Sequence, residues 1–387
     1  MKLFDTATKQ SVDFTPPQTV RLYTCGITPY DSAHLGHIFT FMTYDLLQRY
    51  LEDQGHSVHL VRNVTDVDEP IFKKAKELGI AYTQLAEEET TSFQETLTAL
   101  HFRPAYAEPK ASEYIDEMAS AVKQLIESDY AYRLEDDIYF DVSKDESFGT
   151  FSGFSDDLQL AFMKRRGGDP ERPGKRQPLD FLLWRGITDP DDPAAWDSPV
   201  GRGRPGWHIE CSVMADTLLG TPFDIHGGGT DLIFPHHECE IAQSKALGKP
   251  ELASLWMHVA PISYLGEKMS KSLGNLIFAK DLLGSYEPAA IRLALMHYDY
   301  RTGGEWLPDL LDDATILLSL IRAAGDMASK RCAEKLLDDI RAALADDLDT
   351  HAINHLLEDF ASSPCQDDES HDGAERLNYA LNLLGIS

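Results

Sequence analysis

The chain has 387 residues, with 64 acidic against 35 basic side chains and a formal charge of −29. That length allows two or three domains with an ample core, and so acidic a surface repels polyanions such as nucleic acid unless a local basic patch intervenes. No run approaches ~18 consecutive apolar residues and Met1-Lys2-Leu3-Phe4-Asp5 does not read as a signal peptide, so a cytoplasmic protein without a membrane partner is expected.

Taken in order, residues 20–23 read as a short strand and 38–54 as an amphipathic helix, with Gly26 and Pro29 breaking the pattern between them. Residues 57–64 read as a second strand ending at Thr65-Asp66-Val67-Asp68, and 70–79 and 82–100 as helices. Strand, helix, strand implies a parallel sheet. Ligands of such sheets lie outside the carboxyl ends of the strands, where the Cys25 turn and the Asn63-Val64-Thr65 turn would both fall. Residues 1–126 are therefore read as the first half of a nucleotide-binding domain.

Residues 127–200 read as an irregular insertion with one strand at 137–142 and a basic, turn-rich loop from Arg165 to Lys175. The second half of the domain is placed at 201–300. It holds a helix at 207–219, a buried strand at 223–226, and Gly227-Gly228-Gly229, which lets the backbone approach a ligand closely. A helix starting near Pro235 sets His236 and Glu240 on one face, with His237 and Cys239 pointing elsewhere. A last strand runs over 255–265. Residues 301–387 read as a helical bundle, with helices at 307–324 and 333–345 and an acidic loop at 366–371. The five cysteines (Cys25, Cys211, Cys239, Cys332, Cys365) are odd in number and scattered, which argues against a disulfide framework.

Two stretches carry the chemistry. His34, Gly36 and His37 fall at the start of the first helix, where free N–H groups and the helix dipole attract phosphate; alone, they equally describe a buried turn with two histidines. Lys268-Met269-Ser270-Lys271-Ser272 sets two lysines on a loop, which neutralises triphosphate or is simply solvated. Together and in this order they resemble the two signatures of class I aminoacyl-tRNA synthetases. Thr65-Asp66-Val67-Asp68, the run Gly206-Trp207-His208-Ile209-Glu210-Cys211-Ser212, and residues 224–238 around Gly227-Gly228-Gly229-Thr230-Asp231 resemble the cysteine branch of that class. The resemblance extends from about Leu3 to about Thr350.

This resemblance implies an α/β fold: a class I synthetase Rossmann-type parallel sheet with an insertion and a C-terminal helical bundle. It also implies an ATP-dependent, AMP-forming reaction with Mg²⁺, in which the cysteine carboxylate attacks the α-phosphate to give cysteinyl-adenylate. No protein nucleophile is needed, so catalysis is positioning plus charge neutralisation. The matching positions put His34 and His37 on the phosphates and Lys268 and Lys271 on the leaving pyrophosphate. Cys25, Gly26, Ile27, Thr28, Thr40, Asn63, Val64, Thr65, Trp207, Gly229, Thr230 and Asp231 line the adenylate pocket, Asp231 toward the ribose and Trp207 walling the cysteine. Read by themselves, Thr40 and Asn63 have ordinary helix and turn roles, and His226 is either a substrate contact or a satisfied core histidine.

Spacing alone leaves Cys25 and Cys211 as isolated buried cysteines. The resemblance implies instead a Zn²⁺ ion on Cys25, Cys211, His236 and Glu240 that binds the substrate thiolate; zinc prefers sulfur and so discriminates against serine. Glu240 is the open position in this set, with Cys239 as a competing donor.

For the acceptor, residues 28–31, 166–170 with 172–175, and 345–350 resemble the mycothiol-pathway cysteine ligases, which join cysteine to the amine of glucosaminyl-inositol. About 115 residues follow Ser272, enough for a bundle but not for an anticodon-binding domain as well. The expected partners are ATP, L-cysteine and a small amine acceptor rather than tRNA. Asp224-Ile225-His226 and Glu240 look more like the synthetase proper. Two alternatives thus stay open: a compact cysteinyl-tRNA synthetase, and a related ligase with another amine. A non-enzymatic regulator is disfavoured by the intact motifs.

Overall fold

The computed structural model describes residues 1–249, 251–269, 274–363 and 372–387. The first segment holds β1 (Lys2–Asp5), β2 (Gln10–Asp13), β3 (Thr19–Ile27), α1 (Leu35–Asp53), β4 (Ser57–Val64), α2 (Glu69–Leu78), α3 (Tyr82–Ala99) and α4 (Ile115–Glu127). Then come β5 (Ala131–Leu134), β6 (Asp137–Phe140), α5 (Asp156–Arg165), β7 (Phe181–Gly186) and β8 (Gly203–Pro205). The chain returns through α6 (Trp207–Leu219), β9 (Phe223–Gly229), α7 (Glu238–Ala246), β10 (Ala253–Val259), β11 (Ile262–Tyr264), β12 (Glu267–Lys268), α8 (Ala279–Leu283), α9 (Pro288–Leu295) and β13 (Gly304–Glu305). It ends with α10 (Leu310–Gly325), α11 (Lys330–Ala345), α12 (Thr350–Ser362) and α13 (Ala374–Leu384).

Four parallel strands in the order β10-β9-β3-β4 form the central sheet. Both faces are covered, so β3 and β9 are largely buried along their length rather than alternating in and out. This explains why β3 runs past the expected 20–23 to Ile27, and why β9 continues through its glycines. Gly227 has to be a glycine: a Cβ there would meet the Tyr44 ring at 2.5 Å. Gly26 is held likewise, since its Cβ would fall 1.7 Å from the Asn63 carbonyl oxygen. The run expected at 255–265 is broken, with β10 in the central sheet and β11 in a small sheet ordered β12-β11-β13. The β1–β2 hairpin docks on β10, where the Trp256 N–H donates to Asp5 Oδ1 (3.0 Å) and the Thr6 N–H to the Trp256 carbonyl (2.8 Å).

The region read as irregular contains a four-stranded antiparallel sheet, β5-β6-β7-β8. Only β6 was anticipated there. Strands of three to six residues between Gly, Pro and Asp are too short to establish a period of two.

Helices α10 to α13 share one apolar core with α1, which includes Leu47, Leu51, Leu344 and Leu384. Cys25, Cys211 and Cys239 are free thiols, but Cys332 is disulfide-bonded, so the scattered spacing concealed a bridge. The acidic stretch 366–371 lies outside the described residues. No helix among the described residues is long and apolar enough to cross a membrane.

Candidate active site and metal centre

Four elements converge beneath the carboxyl end of the sheet. Cys25 comes from the end of β3, Cys211 from α6, Glu240 from α7, and His236 from a π-turn over Ile233–His237 that precedes α7. The Cys25 and Cys211 sulfurs are 3.8 Å apart, Cys25 Sγ lies 3.8 Å from Glu240 Oε1, and His236 Nε2 is 2.8 Å from Glu240 Oε1. One donor atom from each of the four residues falls within 4.8 Å of every other, and all four residues are buried.

The expected helical phase at 236–240 holds for His236 and Glu240 but fails for His237. The kink at Phe234 (φ −138°, ψ 133°) precedes the histidines and His237 itself is helical (φ −70°, ψ −33°), but the whole turn from His236 to Glu240 is buried, so both histidines face inward. His237 Nε2 reaches Cys25 Sγ at 3.3 Å, and a second buried donor set, Cys25, His226, His237 and Glu240, overlaps the first. Cys239 belongs to neither set and is wholly buried in the core.

A shell of imidazoles orients these groups. His208 Nδ1 lies 2.9 Å from His236 Nδ1, and His226 Nε2 lies 2.6 Å from Glu240 Oε2. His237 Nδ1 meets His258 Nε2 at 2.7 Å, and His258 Nδ1 meets Thr6 Oγ1 at 2.8 Å. Trp207 stacks on His236 (4.3 Å between ring centres), and Trp256 on His226 (4.5 Å). Thr6, His208 and His258 were not anticipated, because nothing in their local spacing distinguishes them from ordinary core and turn residues.

Burial disfavours every charge in this cluster, yet several persist through their neighbours. For Cys211, burial is outweighed by the hydrogen bond with Cys25 and the His236 charge, bringing the thiol down to about 6. Burial also opposes the His236 imidazolium, but Glu240 and Cys211 raise it to about 10. Glu240 is held well below the usual carboxylate range against its burial by His226 and His236. Burial pushes the Cys25 thiol well up and His208 and His237 well down.

The residues expected to meet the phosphates lie at the start of α1. His34 is its N-cap: its Nδ1 accepts the Gly36 N–H (3.1 Å), and its ring stacks on that of His37 at 3.8 Å. Thr40 donates to the Gly36 carbonyl (3.0 Å). Asn63 Oδ1 accepts the Gly26 N–H (2.9 Å) and Nδ2 donates to Thr65 Oγ1 (3.1 Å), so this side chain ties the two turns together. Ile27 pairs with Val64, and the Thr65 N–H donates to the Ile27 carbonyl (2.9 Å). Gly229 ends β9, Thr230 and Asp231 follow in a short 3₁₀ turn, and Arg166 is ion-paired to Asp231. Lys268 ends β12; Lys271 lies outside the described residues.

Between α2 and the β5–β8 sheet lies a cleft of about 880 Å³ that reaches Thr28, Trp207 and His208 at its inner end. The basic loop borders it but spends most of its charge internally. Arg172 pairs with Asp137 and with Glu135 (2.9 Å), Lys175 with Asp169 (3.1 Å), and Lys164 with Glu171 (2.6 Å). Arg165 and Arg166 are the loop's arginines that line the cleft.

Residues 11–315 match the family model for the tRNA synthetase class I (C) catalytic domain. The chain is 42% identical over 388 residues to the L-cysteine:1D-myo-inositol 2-amino-2-deoxy-alpha-D-glucopyranoside ligase of Thermobispora bispora, covering 100% of this chain and 95% of that protein. It is 47% identical over 351 residues to the ligase of the same name from Frankia casuarinae, covering 90% and 75%. Among solved structures, methionyl-tRNA synthetase of Mycobacterium tuberculosis with methionyl-adenylate is similar at a TM-score of 0.66 and 15% identity, covering 95% of this chain and 88% of that one. A LeuRS–tRNA complex from Agrobacterium radiobacter gives 0.64 at 11% identity, covering 96% and 83%. These two likenesses concern the fold.

Proposed function

The chain belongs to the class I (C) tRNA synthetase catalytic-domain family, and from that premise we propose that it is an ATP-dependent cysteine ligase whose acceptor is the amine of glucosaminyl-inositol. The observation that carries the acceptor is the identity of 42% to the ligase of that name across the whole of this chain, C-terminal helices included. We divide the chain as 1–126 and 201–300 for the catalytic domain, 127–200 for the insertion and 301–387 for the bundle.

Two free thiols 3.8 Å apart, with an imidazole and a carboxylate within the same 4.8 Å, form a donor set that fits zinc. Cys25, Cys211, His236 and Glu240 would hold it, and His208 and His226 orient His236 and Glu240. When bound there, zinc supplies a sulfur-preferring Lewis acid that retains a substrate thiolate and rejects a hydroxyl. Trp207 stacks on His236 and walls the cysteine side. His34 and His37 take the phosphates at the N-terminus of α1, where the helix dipole and the free N–H groups add to the imidazole donors. Lys268 and Lys271 neutralise the departing pyrophosphate, Mg²⁺ accompanies ATP, and Asp231 receives the ribose once Arg166 yields it.

The test is product analysis. Purified protein with MgATP and cysteine is offered glucosaminyl-inositol in one tube and tRNA in another. The expected result is a cysteine amide of the aminosugar by mass spectrometry and no charged tRNA; charged tRNA without the amide overturns the proposal in favour of a compact synthetase.

A further inference from the structure

We infer that Asp68 is the base that takes a proton from the acceptor amine during transfer, an inference that rests on the amine-ligase reading above. Asp68 lines the cleft of about 880 Å³ with Thr28, Trp207 and His208. Its carboxylate interacts electrostatically with His236, on which Trp207 stacks, so it stands within charge range of the cysteine site. Its Oδ1 accepts the Glu69 N–H (2.8 Å) at the start of α2, and among the described residues no hydrogen bond or ion pair engages Oδ2.

The neighbouring carboxylates of the cleft are committed elsewhere. Glu69 is paired with Arg204 (2.6 Å), Asp180 accepts the Tyr132 hydroxyl (2.7 Å) and the Val142 N–H (2.9 Å), and Asp169 takes Lys175 (3.1 Å) and the Tyr139 hydroxyl (2.5 Å). Glu77 sits about two and a half turns farther along α2.

The environment tunes Asp68 for this task. Burial pushes its carboxyl up to about 6, aided by the Glu69 charge and opposed by the Glu69 N–H, Arg204 and His236. Glu210, on α6, is itself pushed up by burial and by the Asp68 charge.

In the transfer step the amine nitrogen bonds to the carbonyl carbon of the adenylate. The carbonyl carbon–phosphate oxygen bond breaks and AMP leaves with that electron pair; of the two protons that separate the ammonium from the amide, the first passes to Asp68 before attack and the second to the departing phosphate. An aliphatic amine titrating near ~8 is mostly ammonium at neutral pH and has no lone pair to offer. A carboxylate titrating near neutrality accepts its proton efficiently and, while charged, pairs with the ammonium at the inner end of the cleft.

The experiment is single-turnover transfer from preformed cysteinyl-adenylate, comparing the full-length protein with Asp68→Asn, which keeps a capping side chain for α2. The nucleophiles are glucosaminyl-inositol, glucosamine and hydroxylamine, the last already largely neutral at pH 7. Transfer to both sugars should fall about 100-fold or more, whereas hydroxylamine should react at the unsubstituted rate and cysteine-dependent pyrophosphate exchange should be unchanged. An equal loss with hydroxylamine, or no loss with the sugars, overturns the inference. If the unsubstituted protein uses glucosamine but not glucosaminyl-inositol, the acceptor assignment fails while the base is still judged on glucosamine against hydroxylamine. Transfer to neither sugar rejects both.

Discussion

The Asp45–Arg49–Arg292 cluster and the Cys25–Cys211–His236–Glu240 cluster are both buried, yet they are built on opposite principles. In the first, each guanidinium nitrogen has an acceptor. Arg292 reaches Asp45 (2.6 Å) and the Leu384 and Leu100 carbonyls; Arg49 reaches Asp45 (2.8 Å) and the Asn382 and His101 carbonyls. Asp45 also accepts the Arg103 N–H (2.7 Å). Charge and hydrogen bonding close within the chain, joining α1 and α9 to the end of α13. In the second, two sulfurs, an imidazole and a carboxylate converge within 4.8 Å, a donor set that a divalent cation can bind together by displacing the protons they share. A closed cluster stabilises a fold; an open one waits for a ligand.

Substitutions at four positions test that contrast, from the largest expected effect to the smallest. Cys211→Ala should abolish both bound zinc and cysteine-dependent pyrophosphate exchange; exchange that survives would break the metal-thiolate account. Asp45→Ala should lower unfolding free energy by about 3–5 kcal/mol, because two buried guanidinium groups lose their counter-ion. Urea denaturation measures this, and the folded fraction should keep its full zinc content.

The same carboxylate predicts a pH dependence. Burial raises Asp45, but Arg292 and Arg49 outweigh it and hold it below the usual carboxylate value. Its stabilising contribution is therefore present above the unfolded value near ~3.9 and lost as pH falls through the folded one. In the Asp45→Asn variant the acid limb of the stability profile should flatten.

Lys271→Ala should slow adenylate formation roughly 100-fold, the size of a lost charge-stabilising group, with zinc unchanged. Loss of metal in this variant would collapse the division between the phosphate and thiol sides. Glu240→Gln should have the smallest effect, weakening zinc about 10–100-fold by titration against a chelator. No loss at all would remove Glu240 from the zinc ligands and leave it a hydrogen-bond partner of His226 and His236.

The motifs at 34–37 and 268–272 were legible because phosphate chemistry uses residues close together in the chain. The parallel sheet was legible too, since continuous apolar strands alternating with helices permit few other arrangements. The antiparallel strands β5, β7 and β8 were hidden, because short strands gain their pattern from partners that only pairing supplies. His237 was misassigned because helix phase distinguishes inward from outward only where one face is solvated, and this turn is buried all round.

What the sequence determined by itself was the ordered set of local motifs, and with them the family and the reaction class. Tertiary structure alone decided which donors meet: Cys25 and Cys211 are 186 positions apart in the chain and 3.8 Å apart in space. It also decided which charges are already spent, so that the basic loop beside the cleft is largely neutralised by Glu135, Asp137 and Asp231 from distant parts of the chain and by its own Asp169. The physical reason is range. Helix phase, turn chemistry and phosphate binding depend on neighbours within a few residues, whereas coordination, desolvation and ion pairing depend on distances that only the packed chain defines.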